Sequence, residues 1–167
     1  MIYVVFFIVM TGCNNVTTVQ VCSREGFCGV GFVNETGGVT TAAHNVSEGS
    51  YIIQNGYRYR FDTSIVLDND VSLSRGDFTG SPVEYCTASP GDSVNVYVRR
   101  SSTIKEKYHA TVHGVDGDNS CYLSGYVAEY GHSGSPVVSD EGCIIGIVIS
   151  RIPQLGISKA AIVKPAK

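Results

Sequence analysis

The sequence predicts an all-β protein made of two packed antiparallel β-barrels, about six strands in each. Three observations lead there. Apolar or alternating runs are short throughout, and Gly, Asn, Asp and Ser separate them at intervals too close for long helices. The composition, 43% hydrophobic and 16% charged with 19 glycines, ten tyrosines and no tryptophan, suits a turn-rich β protein. A stretch rich in Gly, Pro, Asp, Ser and Thr at 75–90 divides the runs into two sets.

Residues 1–13 begin with MIYVVFFIVM, apolar and uncharged but about half the length that a membrane-spanning helix needs. Three readings stay open for this leader: the end of a hydrophobic segment that starts elsewhere, a weak signal peptide without a basic start, or a β-branched strand. The first would bring the chain close to a membrane through residues 1–10. Residues 14–75 supply the first barrel, with strands expected at 16–22, 27–33, 39–43, 51–54, 57–61, 64–67 and 71–74. Arg24-Glu25-Gly26 turns the first pair, and Asn55-Gly56 is a hairpin signal between the fourth and fifth. Residues 76–90 connect the halves. Residues 91–167 supply the second barrel, with strands at 94–99, 107–113, 120–126, 135–139, 143–150 and 157–163. Closing such short strands into barrels hides their edges.

A chain of 167 residues can bury roughly two-thirds of its unfolded surface, so it needs no metal to fold. Net charge is -3 and no basic run exceeds Arg99-Arg100, so the footprint of a nucleic-acid binder is missing. Six cysteines, at 13, 22, 28, 86, 121 and 143, show no paired C-x-x-C spacing, which argues against a metal site. Scattered buried thiols are the expected state, with a Cys22–Cys28 disulfide across a tight hairpin left open. Sequons begin at Asn15, Asn34 and Asn45. A glycan on Asn45 would hang beside His44, which points to a compartment without N-glycosylation.

The chemistry concentrates in Gly131-His132-Ser133-Gly134-Ser135-Pro136, a serine framed by glycines just before an apolar run. Glycine lets a backbone turn its amides towards a substrate oxygen with no Cβ in the way. The N–H groups of Gly131 and Ser133 are the candidate oxyanion hole, and the Ser133 hydroxyl is the candidate nucleophile. A serine needs a base within hydrogen-bond reach, and that base needs a third group to fix its tautomer. His44, ending the small and β-branched run Val39-Thr40-Thr41-Ala42-Ala43, is the candidate base. Asp70, heading Asp70-Val71-Ser72-Leu73, is the candidate orienting acid, with Asp68 as its rival two residues away.

These segments in the order His, Asp, Ser resemble the signature of the chymotrypsin-like serine proteases. The likeness runs from about residue 16 onward and takes in Phe27-Cys28-Gly29-Val30-Gly31-Phe32 and Cys143-Ile144-Ile145-Gly146-Ile147-Val148. It implies a double β-barrel with the active site in the crevice between halves, and catalytic roles for His44, Asp70 and Ser133. Digestive members carry Asp before the nucleophile to capture a new N-terminus; here His132 stands there, so that activation step is expected to be absent. The cysteine that follows the histidine in secreted members is replaced by Asn45. Compact length and an apolar leader make the chain similar to the small serine main proteases of positive-strand RNA viruses, of the arterivirus type.

The resemblance implies a polypeptide substrate, the chain's own polyprotein included, with no cofactor and no metal. It implies the host-cell cytoplasm near membranes, with a secreted or bacterial-envelope protease as the alternative. The implied substrate pocket consists of Val127 and Ala128 together with the strand Gly146 to Ser150, through Ile147, Val148 and Ile149. Those walls favour a medium apolar side chain, although Glu129, His109 or His113 within reach would alter that. Two other functions compete: a catalytically silent binding or virion module on the same fold, and an esterase using the same chemistry.

Overall fold

A computed structural model describes residues 16–166. The leader readings, Cys13 and Asn15 fall outside the described residues. Among the described residues thirteen strands follow one another with only two single-turn 3-10 helices between them. The first half contains β1 (Thr18–Cys22), β2 (Cys28–Val33), β3 (Val39–Ala42), β4 (Tyr51–Gln54), β5 (Tyr57–Arg60), β6 (Asp62–Leu67) and β7 (Val71–Arg75). They form one antiparallel sheet in the order β5-β4-β1-β2-β3-β7-β6, one strand for each of the seven runs marked before residue 76. The second half contains β8 (Ser93–Arg99), β9 (Lys105–Asp116), β10 (Ser120–Ser124), β11 (Pro136–Ser139), β12 (Ile144–Ile152) and β13 (Ile157–Ile162). These close into a six-stranded barrel, β10-β13-β12-β11-β8-β9.

Strict alternation explains the strands that have one wet face. In β8, Val94, Val96 and Val98 are buried while Ser93, Asn95, Tyr97 and Arg99 are not. Strand β12 begins as a fully buried run at Ile144 and emerges at Ser150 and Arg151. Each half has its own core: Val19, Val21, Val39, Ile52 and Phe61 in the first, and Val96, Val112, Leu123, Val137 and Ile145 in the second. A third cluster lies between them, where Phe32, Ala42, Val71 and Leu73 meet Val138, Ile144, Ile147 and Val163. Burying side chains of this size contributes about 1.5–3 kcal/mol each, so the crevice between halves rests on a dry floor. Asn69 adds a polar tie across it, donating from Nδ2 to the carbonyls of Ile162 at 2.9 Å and Asn119 at 3.2 Å.

The cysteines depart from expectation. Cys22 and Cys28 are cross-strand partners in the β1–β2 register and form a disulfide. Cys86 pairs with Cys143 across a separation of 57 residues. There the end of the connection is laid along β12: Cys86 N–H donates to Ile144 O at 3.0 Å, and Ile144 N–H to Glu84 O at 2.7 Å. Among the described residues only Cys121 is a free thiol, and its burial pushes its pKa up to about 11. Among the described residues no helix is long and apolar enough to cross a membrane.

Candidate active site

Strand β3 ends at Ala42, and the single 3-10 turn Ala43–Asn45 that follows carries His44 to the rim of the crevice. Asp70 sits on the β6–β7 turn with φ of 66°, a left-handed conformation that Asp tolerates better than most side chains. That bend offers both its backbone and its carboxylate to the histidine turn. Asp70 O accepts the Ala43 N–H at 2.7 Å, and Oδ1 accepts the His44 N–H at 3.0 Å. Oδ2 lies 2.5 Å from His44 Nδ1. With the Nδ1 proton committed to the carboxylate, Nε2 keeps its lone pair and accepts the hydrogen bond of the Ser133 hydroxyl. No hydrogen bond among the described residues joins Asp68 to His44.

The nucleophile loop explains its glycines. His132 N–H donates to Glu129 O at 3.1 Å, closing a turn in which Gly131 has φ of +90°. Positive φ at the third position is the type II pattern. A Cβ on Gly131 would meet only Cys28 O, at 3.5 Å, so conformation rather than space demands glycine there. At Gly134 both apply: φ is +89° and a Cβ would lie 1.9 Å from Val30 O. The N–H groups of Gly131 and Ser133 have no partner among the described residues, and both residues border the cavity that also holds His44. An oxyanion hole requires such unpaired donors.

Asn45, read from the sequence as a sequon and as the replacement of a cysteine, ties the His44 turn to the Ser133 loop. Ser133 O accepts from Val30 N–H at 2.8 Å and from Asn45 Nδ2 at 2.8 Å. Asn45 Nδ2 also lies 3.1 Å from Thr41 Oγ1, whose hydroxyl donates to Val30 O at 2.7 Å. A Cβ on Gly29 would stand 2.4 Å from Asn45 Nδ2, so the glycine makes room for this amide. The one signal in the sequence was adjacency to His44.

His132, fully buried, anchors the loop from behind. Arg100 Nη2 donates to its Nε2 at 3.1 Å, which leaves the Nδ1 proton to be donated to the Tyr126 oxygen at 2.6 Å. Arg100 also pairs with Glu106 at 2.7 Å and Glu129 at 3.0 Å, and Tyr108 bonds to Glu106. Burial, and secondarily the Arg100 charge, hold the His132 pKa below its usual value. His132 is thereby held in a self-contained network of Arg100, Glu106, Tyr108, Tyr126 and Glu129.

The cavity beside Ser133 takes in Ala128, Val148 and Ile149 of the expected pocket residues, and Glu129 with them. It does not include Val127, which is 37% exposed, or Ile147, which is buried in the cluster between the halves. In the β12–β13 pairing the register shifts between Val148 and Ser150. The bulge breaks simple alternation and aims Val148 to Arg151 at one cavity. His109 and His113, on β9, are not in the lining. Ser150, the end of the expected wall, lies on the lining; Arg151 was missed, as was Ser158, whose Oγ accepts the Ala128 N–H at 2.9 Å and donates to Tyr126 O at 3.0 Å. Among the described residues no group of three or more His, Cys, Asp or Glu side chains is placed to hold a metal ion.

Several solved structures share this architecture. A human pathogenic astrovirus serine protease matches with a TM-score of 0.70 at 20% identity, covering 89% of this chain and 90% of that one. The active form of a protease from M. tuberculosis gives 0.73 at 18% identity, covering 92% and 85%. A serine endoprotease from Yersinia pestis gives 0.74 at 18% identity, covering 92% of this chain and 60% of that one. At such identities the likeness is one of fold, and the chain has the double β-barrel of the chymotrypsin-like serine proteases. No family model matches the chain, and no curated protein sequence matches it.

Proposed function

We propose that this chain is a serine endopeptidase. The observation that carries the reading is the continuous path from Asp70 through His44 to the Ser133 hydroxyl, opening on the cavity that the Gly131 and Ser133 amides border. His44 Nε2 takes the Ser133 proton as Oγ attacks a peptide carbonyl, and Asp70 stabilises the imidazolium that forms. The developing oxyanion is stabilised by the two free N–H groups. His44 then protonates the departing amine, leaving an acyl group on Ser133 that water removes by the same route in reverse. Phe27 and Tyr130, 80% and 91% exposed, flank the cavity as platforms for an extended peptide.

The test is labelling with a fluorophosphonate beside cleavage of a mixed peptide library. Labelling at Ser133 with cuts that vanish in Ser133→Ala supports the proposal. A folded protein that neither labels nor cuts is a silent binding module, and turnover of esters without amides marks an esterase.

For the setting in which it acts, processing of a viral polyprotein draws its support from the likeness to an astrovirus protease of nearly equal length. A second reading, a protease of a bacterial envelope, has observations of its own. Two disulfides suit an oxidising compartment. Asn34 is buried and bonded to Thr40, and Asn45 is bonded to Ser133 O, so neither amide is free for an N-glycan. Producing the chain in a reducing cytosol and in an oxidising periplasm separates the two: equal activity and stability favour the polyprotein role, and loss of both on reduction favours the envelope.

A further inference from the structure

We propose that the cavity beside Ser133 receives an acidic side chain, glutamate or aspartate, at the residue preceding the cut bond, and that Arg151 is the cation that recognises it. This rests on the serine endopeptidase reading and names its substrate class. The ionisable side chains on the lining are His44, Glu129, Tyr130 and Arg151. His44 is committed to Asp70 and Ser133. Glu129 already has its counter-charge, since Oε2 takes the Arg100 Nη2 bond at 3.0 Å and lies 3.9 Å from His132 Nε2.

Arg151 is the unbalanced one. Among the described residues no carboxylate lies within ion-pair distance of its guanidinium. From β12 it reaches to the wall before Ser133, donating from Nη1 to Ala128 O at 3.1 Å, and its central carbon stands 5.3 Å from the centroid of the Tyr130 ring. A carbonyl and a ring face hold the group in position without cancelling its charge. Its remaining N–H donors form a planar fork suited to a carboxylate. Ala128, Val148 and Ile149 complete the cavity with apolar surface that packs on the methylenes of a glutamate and strengthens the ion pair by excluding water. A lysine or arginine entering there would meet a fixed like charge, which selects against it. The medium apolar side chain expected from the sequence is thereby replaced as the preferred occupant.

The experiment compares kcat/KM for matched peptides that differ only at the residue before the cut, with Glu, Gln, Leu or Lys there. It uses the full chain and its Arg151→Ala, Arg151→Lys and Arg151→Glu variants, with fluorophosphonate labelling of Ser133 as a check on each active site. The expected result is a Glu over Gln preference of about tenfold or more in the parent, as for hydrogen bonds to charged groups. Arg151→Lys keeps a preference for Glu, Arg151→Ala brings the ratio near one, and Arg151→Glu turns it towards Lys. A parent that cleaves Gln and Leu as well as Glu overturns the proposal, as does an unchanged ratio in labelled Arg151→Ala. In both of those outcomes the protease reading stands, whereas a folded parent that neither labels nor cleaves removes both.

Discussion

In the first half, His44 and Asp70 are fixed by hydrogen bonds between neighbouring turns, on a seven-stranded sheet whose end strand β5 is exposed along its whole length. In the second, Ser133 sits on a loop of a closed barrel, stapled by Cys86–Cys143 and propped by the buried ring of His132. On the protease reading the histidine passes a proton between two partners, and bonds confined to two turns permit that without loosening a core. The serine loop must hold two amides aimed at empty space, a conformation with unpaired donors that only a rigid surround maintains.

The sharpest way to break this comparison is to test whether the two contributions act as one unit. Ser133→Ala and His44→Ala are each expected to lower kcat roughly a million-fold, with the double variant no worse than either. Losses that multiply would mean that the halves work independently. Next in size, Asp70→Asn is expected to cost about ten-thousand-fold in kcat, because an amide stabilises the wrong histidine tautomer. Asp68→Asn serves as the control, and an equal loss there would reassign the acid.

Stability comes next. Unfolding in urea is expected to show a loss of about 4 kcal/mol for Cys86→Ser with Cys143→Ser and about 2 kcal/mol for Cys22→Ser with Cys28→Ser, since the larger loop restrains the unfolded chain more. A reversed order would place the greater need for restraint in the first half. The smallest effect concerns pH. His132 has its pKa lowered in the folded state, while an unfolded histidine titrates near 6.5. The unfolded chain therefore binds more protons as the pH falls below about 6.5, and stability declines from there until the folded group also titrates. His132→Asn should show a shallower decline over that interval, and an identical slope would remove His132 from the account.

Much of this was legible in the sequence. Each of the thirteen strands overlaps a run that apolar patterning and turn residues mark, with bounds that differ by several residues at β9, because a half-buried strand writes its two faces into every second residue. His44, Asp70 and Ser133 are brought together in the order their motifs stand in. The rest depends on register. Nothing local announces that Cys86 meets Cys143, since a bridge between Tyr85 and Ile144 makes that pairing. Arg151 reads as an ordinary solvent-facing cation until the bulge after Val148 turns it to the cavity. Asn45 looked like a loss, and its gain, a bond to a carbonyl 88 residues away, exists only in three dimensions.

That last bond bears on when the chain becomes active during its own synthesis. The carbonyl it grips belongs to a barrel that closes only when β13, ending at Ile162, has slotted between β10 and β12. A ribosome that has finished the first half has released His44 and Asp70 with nothing for them to activate. Even a nascent chain that already includes Ser133 lacks the strand that sets its loop. On the protease reading, cleavage waits until the chain has emerged through Ile162, which shields everything made before that point from Ser133.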